Sequence, residues 1–235
     1  MACCNKTKAI IINTPNNPSG KVFLKDELEE IADLCMKWDV LAVTDEIYEH
    51  ILYDDAKHIS IASLPGMAER TITINSISKT YSVTGWRIGW AIANAKITSR
   101  IRKIHDFLTV GAPTPFQYAA IKALNFPKVY YKELQSRYLK SRKILYDALK
   151  KCRFAPFMPK GAYYIMSDYS ELKELIFSEN DFDFSIKFLQ KTGIATVPGS
   201  SFYSSSANTN HIRFAFCKKT ETLEKVDMIL SNIFP

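Results

Sequence analysis

A lysine flanked by a serine and an arginine is the part of this sequence best suited to covalent chemistry. Lys79 follows the β-type run Thr71–Asn75, with Ser76 three residues before it and Arg87 eight residues after it. Open α/β sheets bind their ligands at the carboxyl ends of strands. A primary amine accompanied by a hydroxyl and a guanidinium, which can bind an anion, favours a phosphorylated aldehyde as cofactor.

Two other polar residues follow apolar runs in the same way. Asn17 comes after the run Ala9–Asn13, and Asp45 comes directly after Val40–Thr44. Because the carboxyl ends of parallel strands meet at one edge of a sheet, we expect Asn17, Asp45 and Lys79 to lie close together. Buried ionisable groups need partners, so an amide, a carboxylate and an amine at one edge form a candidate site.

The elements that must position these residues alternate between strands and helices, which predicts an α/β fold. The run Ala9–Ile12 is apolar at successive positions, and this predicts a strand buried on both faces. Apolar residues at helical spacing predict a helix around Leu28 and Trp38, and helical sequence from Ala95 to Leu124 with a break at residues 111–115. The expected strands of this half are Ala9–Asn13, Val40–Thr44, Thr71–Asn75 and Ile88–Ala93.

A second, smaller α+β domain is predicted after Asn125-Phe126-Pro127, which ends the helical pattern. We therefore divide the chain into residues 1–127 and 128–235. The second part is expected to begin with a long helix at Tyr130–Cys152, a strand at Ala162–Met166 and a helix at Phe182–Gln190. Two short strands near Ala195 and Ile212 and a closing helix at Thr220–Ile233 are expected to follow.

Composition excludes several classes of function. The 235 residues are 47% apolar and 23% charged, as in a globular protein. The net charge of +7 is spread among acids without a basic run, which argues against nucleic acid as a partner. No apolar run is long enough for a membrane span. The five cysteines form no C-x-x-C pair, so we expect reduced thiols and a cytoplasmic protein. The four histidines show no metal-ligand spacing, and no metal site is predicted.

Several motifs recur in an order that resembles the class I and II aminotransferases of fold type I, which depend on pyridoxal phosphate. The resemblance covers nearly the whole chain and is most specific around Lys79. Its first block is most similar to the kynurenine and glutamine branch of the family. The motifs are Asn13–Gly20, Asp45-Glu46-Ile47-Tyr48, Ser76-x-x-Lys79 with Arg87, Pro198-Gly199-Ser200 and Arg213.

The resemblance implies the C-terminal part of a mostly parallel large-domain sheet, with its last strand antiparallel, followed by an α+β small domain. It implies that Lys79 holds pyridoxal phosphate as a Schiff base and shuttles the substrate proton. Asp45 would pair with the pyridinium nitrogen.

The other roles are implied in the same way. Asn17 and Tyr48 would bind the phenolic oxygen of the ring. Ser76 and Arg87 would bind the phosphate, and Arg213 would clamp the substrate carboxylate, with Asn17 beside the substrate. The implied reaction moves an amino group from an L-amino acid of the aromatic, kynurenine, glutamine or aspartate type to a 2-oxo acid, in a homodimer.

Two alternatives remain open at this point. The triplets Ser76-x-x-Lys79, Ser167-Asp168-Tyr169 and Lys191-Thr192-Gly193 echo the motifs of penicillin-binding enzymes, in which the serine is acylated. That interpretation is weaker, because Ser76 follows a strand and Gly193 is typical of a helix C-cap. The second alternative is a non-catalytic relative or fragment of a pyridoxal phosphate enzyme.

A further expectation concerns the start of the chain. Relatives in the family carry an N-terminal portion with a phosphate-binding glycine loop and an aromatic residue over the ring, and this chain lacks a matching stretch. We therefore expect the 235 residues alone to bind pyridoxal phosphate weakly, to show negligible turnover, and to associate through the edge of the strand at Ala9.

Overall fold

The computed structural model describes residues 4–203 and 209–234. Contacts between Cα atoms divide these residues into two compact units. The first unit covers residues 4–15 and 22–132, and the second covers residues 16–21, 133–203 and 209–234. No helix in the described ranges combines the length and the apolar character that spanning a bilayer requires.

The first unit is a four-stranded sheet with helices. Strands β1, β2 and β3 are parallel, and β4 runs antiparallel to β3, as expected. The carboxyl ends of β1, β2 and β3 therefore lie at one edge. Its elements are β1 (Ala9–Asn13), α1 (Lys25–Trp38), β2 (Leu41–Asp45), β3 (Thr71–Ser76), β4 (Gly89–Ile92), α2 (Ala95–Leu108) and α3 (Thr114–Leu124).

One face of this sheet packs against α1. The helix buries Leu28, Ala32 and Cys35 in the same core as Ile12 and Ala42 of the sheet. Residues 28, 32 and 35 recur at helical spacing, so one stripe of the helix faces the sheet. Burial of these apolar side chains is the main term that holds the layers together.

β1 is covered on one face only, although its apolar run is typical of a strand buried on both faces. Ile12 is 4% exposed, but Ile11, which points to the opposite face, is 80% exposed. β1 lies at the edge of the sheet and pairs only with β2. An apolar run therefore indicated a strand correctly but did not determine whether both of its faces are covered.

Some predicted strand boundaries are shifted by one or two residues, for identifiable reasons. β2 begins at Leu41 because Val40 donates its N–H to the carbonyl of Cys35 and so closes α1. In the second unit the predicted strand Ala162–Met166 begins only at Tyr164, since Ala162 has a φ of 58° and cannot belong to an extended strand.

The second unit is an α+β arrangement around a four-stranded antiparallel sheet of order β5-β6-β8-β7. The strand β5 was not predicted, because two residues carry no periodicity. Residues 128–132 of α4 belong to the first unit and the rest of that helix to the second. The elements are α4 (Lys128–Lys151), β5 (Ala155–Pro156), β6 (Tyr164–Asp168), α5 (Asp181–Thr192), β7 (Val197–Pro198), β8 (His211–Ala215) and α6 (Thr220–Ile233).

The core of the second unit is aromatic. Phe188 of α5 is fully buried and stacks on Phe184 and Phe234, with ring centroids 5.8 and 6.2 Å away. Its edges meet Phe154 and Phe214 in nearly perpendicular contacts at 5.8 and 6.0 Å. Stacked and edge-to-face pairs of this kind stabilise a core beyond the area they bury.

Candidate active site

Lys79 lies in a hydrogen-bonded turn that follows β3. The N–H of Tyr81 donates to the carbonyl of Ile77 at 3.2 Å, and the N–H of Ser82 donates to the carbonyl of Lys79 at 3.3 Å. Ser82 has a φ of 57°, which lets the chain reverse direction. The side chain of Lys79 is half-buried. The turn thus holds the lysine at the carboxyl end of a sheet strand.

A cavity of about 570 Å³ in the first unit is lined by Ser76, Lys79 and Arg87 together. Arg87 has a φ of 57° and donates from Nη1 to the carbonyl of Thr84 at 3.0 Å. The N–H of Ser78 donates to Oγ of Ser76 at 3.1 Å. The structure therefore brings the predicted amine, hydroxyl and guanidinium to one cavity, although Arg87 is exposed rather than enclosed.

Asp45 is the last residue of β2 and pairs in register with Ile74 of β3. Burial raises the pKa of its carboxyl, and the neighbouring charge of Glu46 adds to the rise. The N–H of Ile47, which donates to Oδ1 at 3.2 Å, and the charge of Lys79 act in the opposite direction. Asp45 and Lys79 therefore follow neighbouring strands and lie at the same sheet edge.

Tyr48 lies in the segment that follows β2. It is 3% exposed, and its carbonyl accepts the N–H of Ile51 at 2.8 Å. Its burial and this turn fix the position of Tyr48, which follows Asp45 by three residues. The structure therefore places Tyr48 in the same unit as Asp45 and Lys79.

Asn17 and Arg213 meet in the second unit. Nη1 of Arg213 donates to Oδ1 of Asn17 at 2.6 Å, across 196 residues of sequence. The guanidinium lies over the rings of Tyr164 and Phe202, at 4.2 and 5.0 Å from their centroids. Nε of Arg213 is buried and has no hydrogen-bond acceptor among the described residues. A fixed guanidinium with an unused buried donor is suited to binding a carboxylate.

The segment that carries Asn17 is attached to the second unit by its backbone. The carbonyl of Gly20 accepts the N–H groups of Lys160 and Gly161, both at 2.9 Å. Gly20 has a φ of 71°, and a Cβ there would lie 2.3 Å from Cβ of Pro159, so only glycine fits. Asn17 therefore groups with Arg213, and its expected proximity to Asp45 and Lys79 stays a prediction.

Glu46 is a buried carboxylate that the motif analysis did not single out. It is 2% exposed and accepts hydrogen bonds from Thr44 and Ser60, at 2.9 and 2.8 Å, and from Nε2 of His58 at 2.8 Å. Burial alone would raise its pKa, but the bonds from His58, Ser60 and Thr44 together lower the pKa below the usual value. Its partners stand up to 14 residues away, so no local spacing signalled the network.

Glu46, Glu49 and His58 also place ligand-type atoms within 4.8 Å of one another. The carboxylate of Glu46 is already bonded to His58, and Oε1 of Glu49 accepts from Asn75 at 2.5 Å. The cluster is thus organised by hydrogen bonds.

The motifs that echo penicillin-binding enzymes have ordinary structural explanations. Ser76 is the last residue of a strand, and Gly193 is the C-cap of α5 with a φ of 72°. The N–H of Gly193 donates to the carbonyl of Leu189 at 2.8 Å, which closes the helix as predicted.

Comparison with known proteins identifies the family of the chain. The family model described as aminotransferase class I and II matches residues 2–229. The chain is 38% identical to a kynurenine–oxoglutarate transaminase of Dictyostelium discoideum, over 95% of this chain and 56% of that protein. It is 40% identical to an aspartate aminotransferase of Pyrococcus abyssi, over 94% of this chain and 55% of that protein.

Solved structures give the same result. The structure of N-succinyldiaminopimelate aminotransferase from Mycobacterium tuberculosis superimposes with a TM-score of 0.92 at 33% identity, covering 99% of this chain and 60% of that one. The chain thus spans a little over half the length of the curated relatives it matches. The match extends through both units, and with the fold-type-I architecture of the neighbours it shows that this chain belongs to the class I and II aminotransferase family.

Proposed function

We propose that this chain binds pyridoxal phosphate through Lys79 and takes part in amino-group transfer from an amino acid to a 2-oxo acid. The observation that carries the proposal is the cavity of about 570 Å³ that Ser76, Lys79 and Arg87 line together, with Asp45 at the end of the neighbouring strand. The family match and the names of the relatives, which include kynurenine and aspartate transaminases, support the same reaction class.

The residues present fit the chemistry of this cofactor. A phosphate would find the hydroxyl of Ser76 and the guanidinium of Arg87, and an aldehyde would find the amine of Lys79. The carboxyl of Asp45 has a pKa raised by burial, so its ionised form gains from a cationic partner such as a pyridinium. Tyr48 would add a phenolic hydroxyl to the ring oxygen, and Asn17 an amide.

When bound, pyridoxal phosphate supplies a ring that accepts electrons from the substrate Cα. Lys79 would hold the aldehyde through Nζ as a Schiff base, and its amine is the group that would take the proton from the substrate Cα. Asp45 would keep the ring nitrogen protonated, which preserves the electron demand of the ring.

Arg213 would hold the substrate carboxylate. Its guanidinium is fixed by Asn17, Tyr164 and Phe202, so little freedom is lost when an anion binds. A carboxylate held by two parallel N–H bonds would fix the direction of the substrate Cα. The amino donor would be of the kynurenine, glutamine, aromatic or aspartate type.

The same proposal includes the arrangement of the whole protein. We propose a pyridoxal phosphate-binding domain over residues 1–127 and a small domain over 128–235, in a cytoplasmic homodimer without nucleic acid or membrane partners. Exposed apolar side chains in the first unit, among them Ile11 at 80% and Ile92 at 62%, support association between copies.

The test is a titration of pyridoxal phosphate followed by visible absorbance. We expect the unsubstituted chain and Lys96→Ala, whose lysine is exposed on α2, to develop the colour of lysine-bound cofactor at excess pyridoxal phosphate. Lys79→Ala should develop much less of this colour, and Lys79→Arg should not restore it, because a guanidinium stays protonated. Equal colour in Lys79→Ala and Lys96→Ala would contradict the proposal.

A further inference from the structure

The backbone immediately after Lys79 is bonded to the first turn of α4. The hydroxyl of Tyr130 donates to the carbonyl of Thr80 at 2.8 Å. The hydroxyl oxygens of Tyr81 and Tyr131 lie 2.7 Å apart and share a second hydrogen bond. Two consecutive residues of one helix thus hold two consecutive residues of the turn, starting one position beyond the candidate lysine.

Ring contacts reinforce these bonds. The rings of Tyr81 and Tyr130 stack at 5.5 Å between centroids with an interplanar angle of 14°. Phe126 meets both rings edge-on, at 5.9 Å from Tyr81 and 4.9 Å from Tyr130. Burial, and then the bond to Tyr131, raise the pKa of Tyr81, so its phenol stays protonated at neutral pH. The contact is therefore an aromatic cluster of three half-buried tyrosines, with Phe126, which is 39% exposed, at its rim.

The same tyrosine pair also touches the segment that follows β2. The ring of Tyr131 lies 4.4 Å from the ring of His50, two residues after Tyr48. Nε2 of His50 is 3.6 Å from a carboxylate oxygen of Glu49, which in turn accepts from Asn75 at the end of β3. The start of α4 is thus in contact with the two chain segments that carry Lys79 and Tyr48.

We propose that Tyr130 is a positioning residue for Lys79, and that it acts by fixing the peptide plane of Thr80. The amine of a lysine samples a region of space at the end of a flexible four-carbon stem. The direction of the Cα–Cβ bond sets the centre of that region and thus how often Nζ reaches the aldehyde. Removing the hydroxyl of Tyr130 frees the Thr80 carbonyl and widens the range of that direction. Tyr131, which acts through Tyr81, has the same role to a smaller degree.

This inference rests on the proposed function, because the reaction it concerns is the condensation of Nζ of Lys79 with the cofactor aldehyde. In that step the neutral amine adds to the aldehyde carbon, a C=N bond forms, and one water leaves. Borohydride then delivers hydride to the carbon, and water supplies the proton to nitrogen, which makes the bond permanent. The amount of label on each lysine can be read from peptide masses.

The experiment compares two reagents on Tyr130→Phe in the full 235-residue chain. The rate of labelling by pyridoxal phosphate and borohydride depends on the direction of the amine. The rate of labelling by trinitrobenzenesulfonate depends only on the exposure and the protonation of the amine. We expect the pyridoxal phosphate rate at Lys79 to fall about fivefold to tenfold, the effect of losing one hydrogen bond. The trinitrobenzenesulfonate rate at Lys79 should stay unchanged.

Two further variants make the result specific. Tyr118→Phe removes the hydroxyl of an exposed tyrosine on α3 and should label like the unsubstituted chain. Tyr131→Phe, which keeps the Tyr130 bond, should slow pyridoxal phosphate labelling about twofold to threefold. This milder variant also keeps the test available if Tyr130→Phe fails to fold, as judged by urea unfolding.

The outcomes separate the inference from the function on which it rests. Equal pyridoxal phosphate rates at Lys79 in the unsubstituted chain and both phenylalanine variants would overturn the inference and leave the proposed function standing. A parallel fall with trinitrobenzenesulfonate would overturn it too, since the hydroxyl would then control exposure and not direction. No label on Lys79 in the unsubstituted chain would overturn the proposed function and this inference with it.

Discussion

The two units differ in how completely their apolar side chains are covered. In the second unit Phe184, Phe188 and Phe234 are fully buried in one stacked core. In the first unit Ile11 and Phe107 are 80% and 94% exposed. Of the residues proposed to hold the cofactor, all except Asn17 lie in the less completely covered unit, whereas Asn17 and Arg213 belong to the well-packed one.

Stability and the proposed cofactor chemistry therefore depend on different contacts. Asp45 is a half-buried carboxyl whose pKa burial raises, so its charge costs the fold free energy at neutral pH. Such groups are common at sites where function opposes stability. The neighbouring Glu46 has the opposite character, because its hydrogen bonds lower its pKa and stabilise the fold.

The largest expected effect comes from deleting the centre of the second core. Phe188→Ala should lower the free energy of unfolding by about 3–5 kcal/mol, because it removes a fully buried ring and leaves a cavity. Phe107→Ala, at an exposed position, should change it by no more than about 0.5 kcal/mol. Urea unfolding followed by circular dichroism measures both. Similar losses in the two variants would show that Phe107 is covered in solution.

A second prediction separates the roles of the two units. Arg213→Ala should leave the absorbance of bound pyridoxal phosphate unchanged and weaken the affinity for an amino donor by about 10-fold to 100-fold, through loss of charged hydrogen bonds. The affinity is read from the change in absorbance on adding the donor. Arg137→Ala, an exposed arginine of α4, serves as the control. Loss of cofactor absorbance in Arg213→Ala would break the division between units.

Glu46→Gln tests the buried hydrogen-bond network of the first unit. At pH 7 the substitution should lower the free energy of unfolding by about 1–3 kcal/mol, because the charged acceptor of three bonds is removed. The lowered pKa means that the contribution of Glu46 is present above the ordinary glutamate pKa of about 4.3 and is lost as the pH falls through the folded-state value.

The loss in Glu46→Gln should therefore shrink below about pH 4.3. Urea unfolding at several pH values measures the change. Glu29→Gln, which alters an exposed carboxylate of α1, provides the control. A loss that does not depend on pH would mean that packing, and not the charge of Glu46, holds the network together.

Asp45→Asn has the smallest expected effect and the opposite sign. Its raised pKa means that ionisation destabilises the fold as the pH rises through the folded-state value. Without cofactor, Asp45→Asn should be more stable than the unsubstituted chain at pH 7, by at most about 1 kcal/mol because solvent screens the half-buried group. The gain should disappear towards pH 4, as urea unfolding can show. A loss of stability at pH 7 would contradict the contrast with Glu46.

Much of the fold followed from local pattern. Apolar runs predicted β1 and β3, and helical spacing predicted α1, because these signals depend on residues close in sequence. The bond between Arg213 and Asn17 spans 196 residues, and that between Tyr130 and Thr80 spans 50. Such contacts depend on how the elements pack and leave no local trace. The left-handed backbone conformation of Ala162 could not be predicted from the sequence either, since alanine does not favour it.

The most direct test of the account is to locate the cofactor bond in the unsubstituted chain. The chain is incubated with pyridoxal phosphate, reduced with borohydride and digested, and the peptides are identified by mass. We expect the label to lie predominantly on Lys79, and inorganic phosphate to reduce it by competing for Ser76 and Arg87. Label spread over exposed lysines such as Lys96, with none on Lys79, would contradict the central claim.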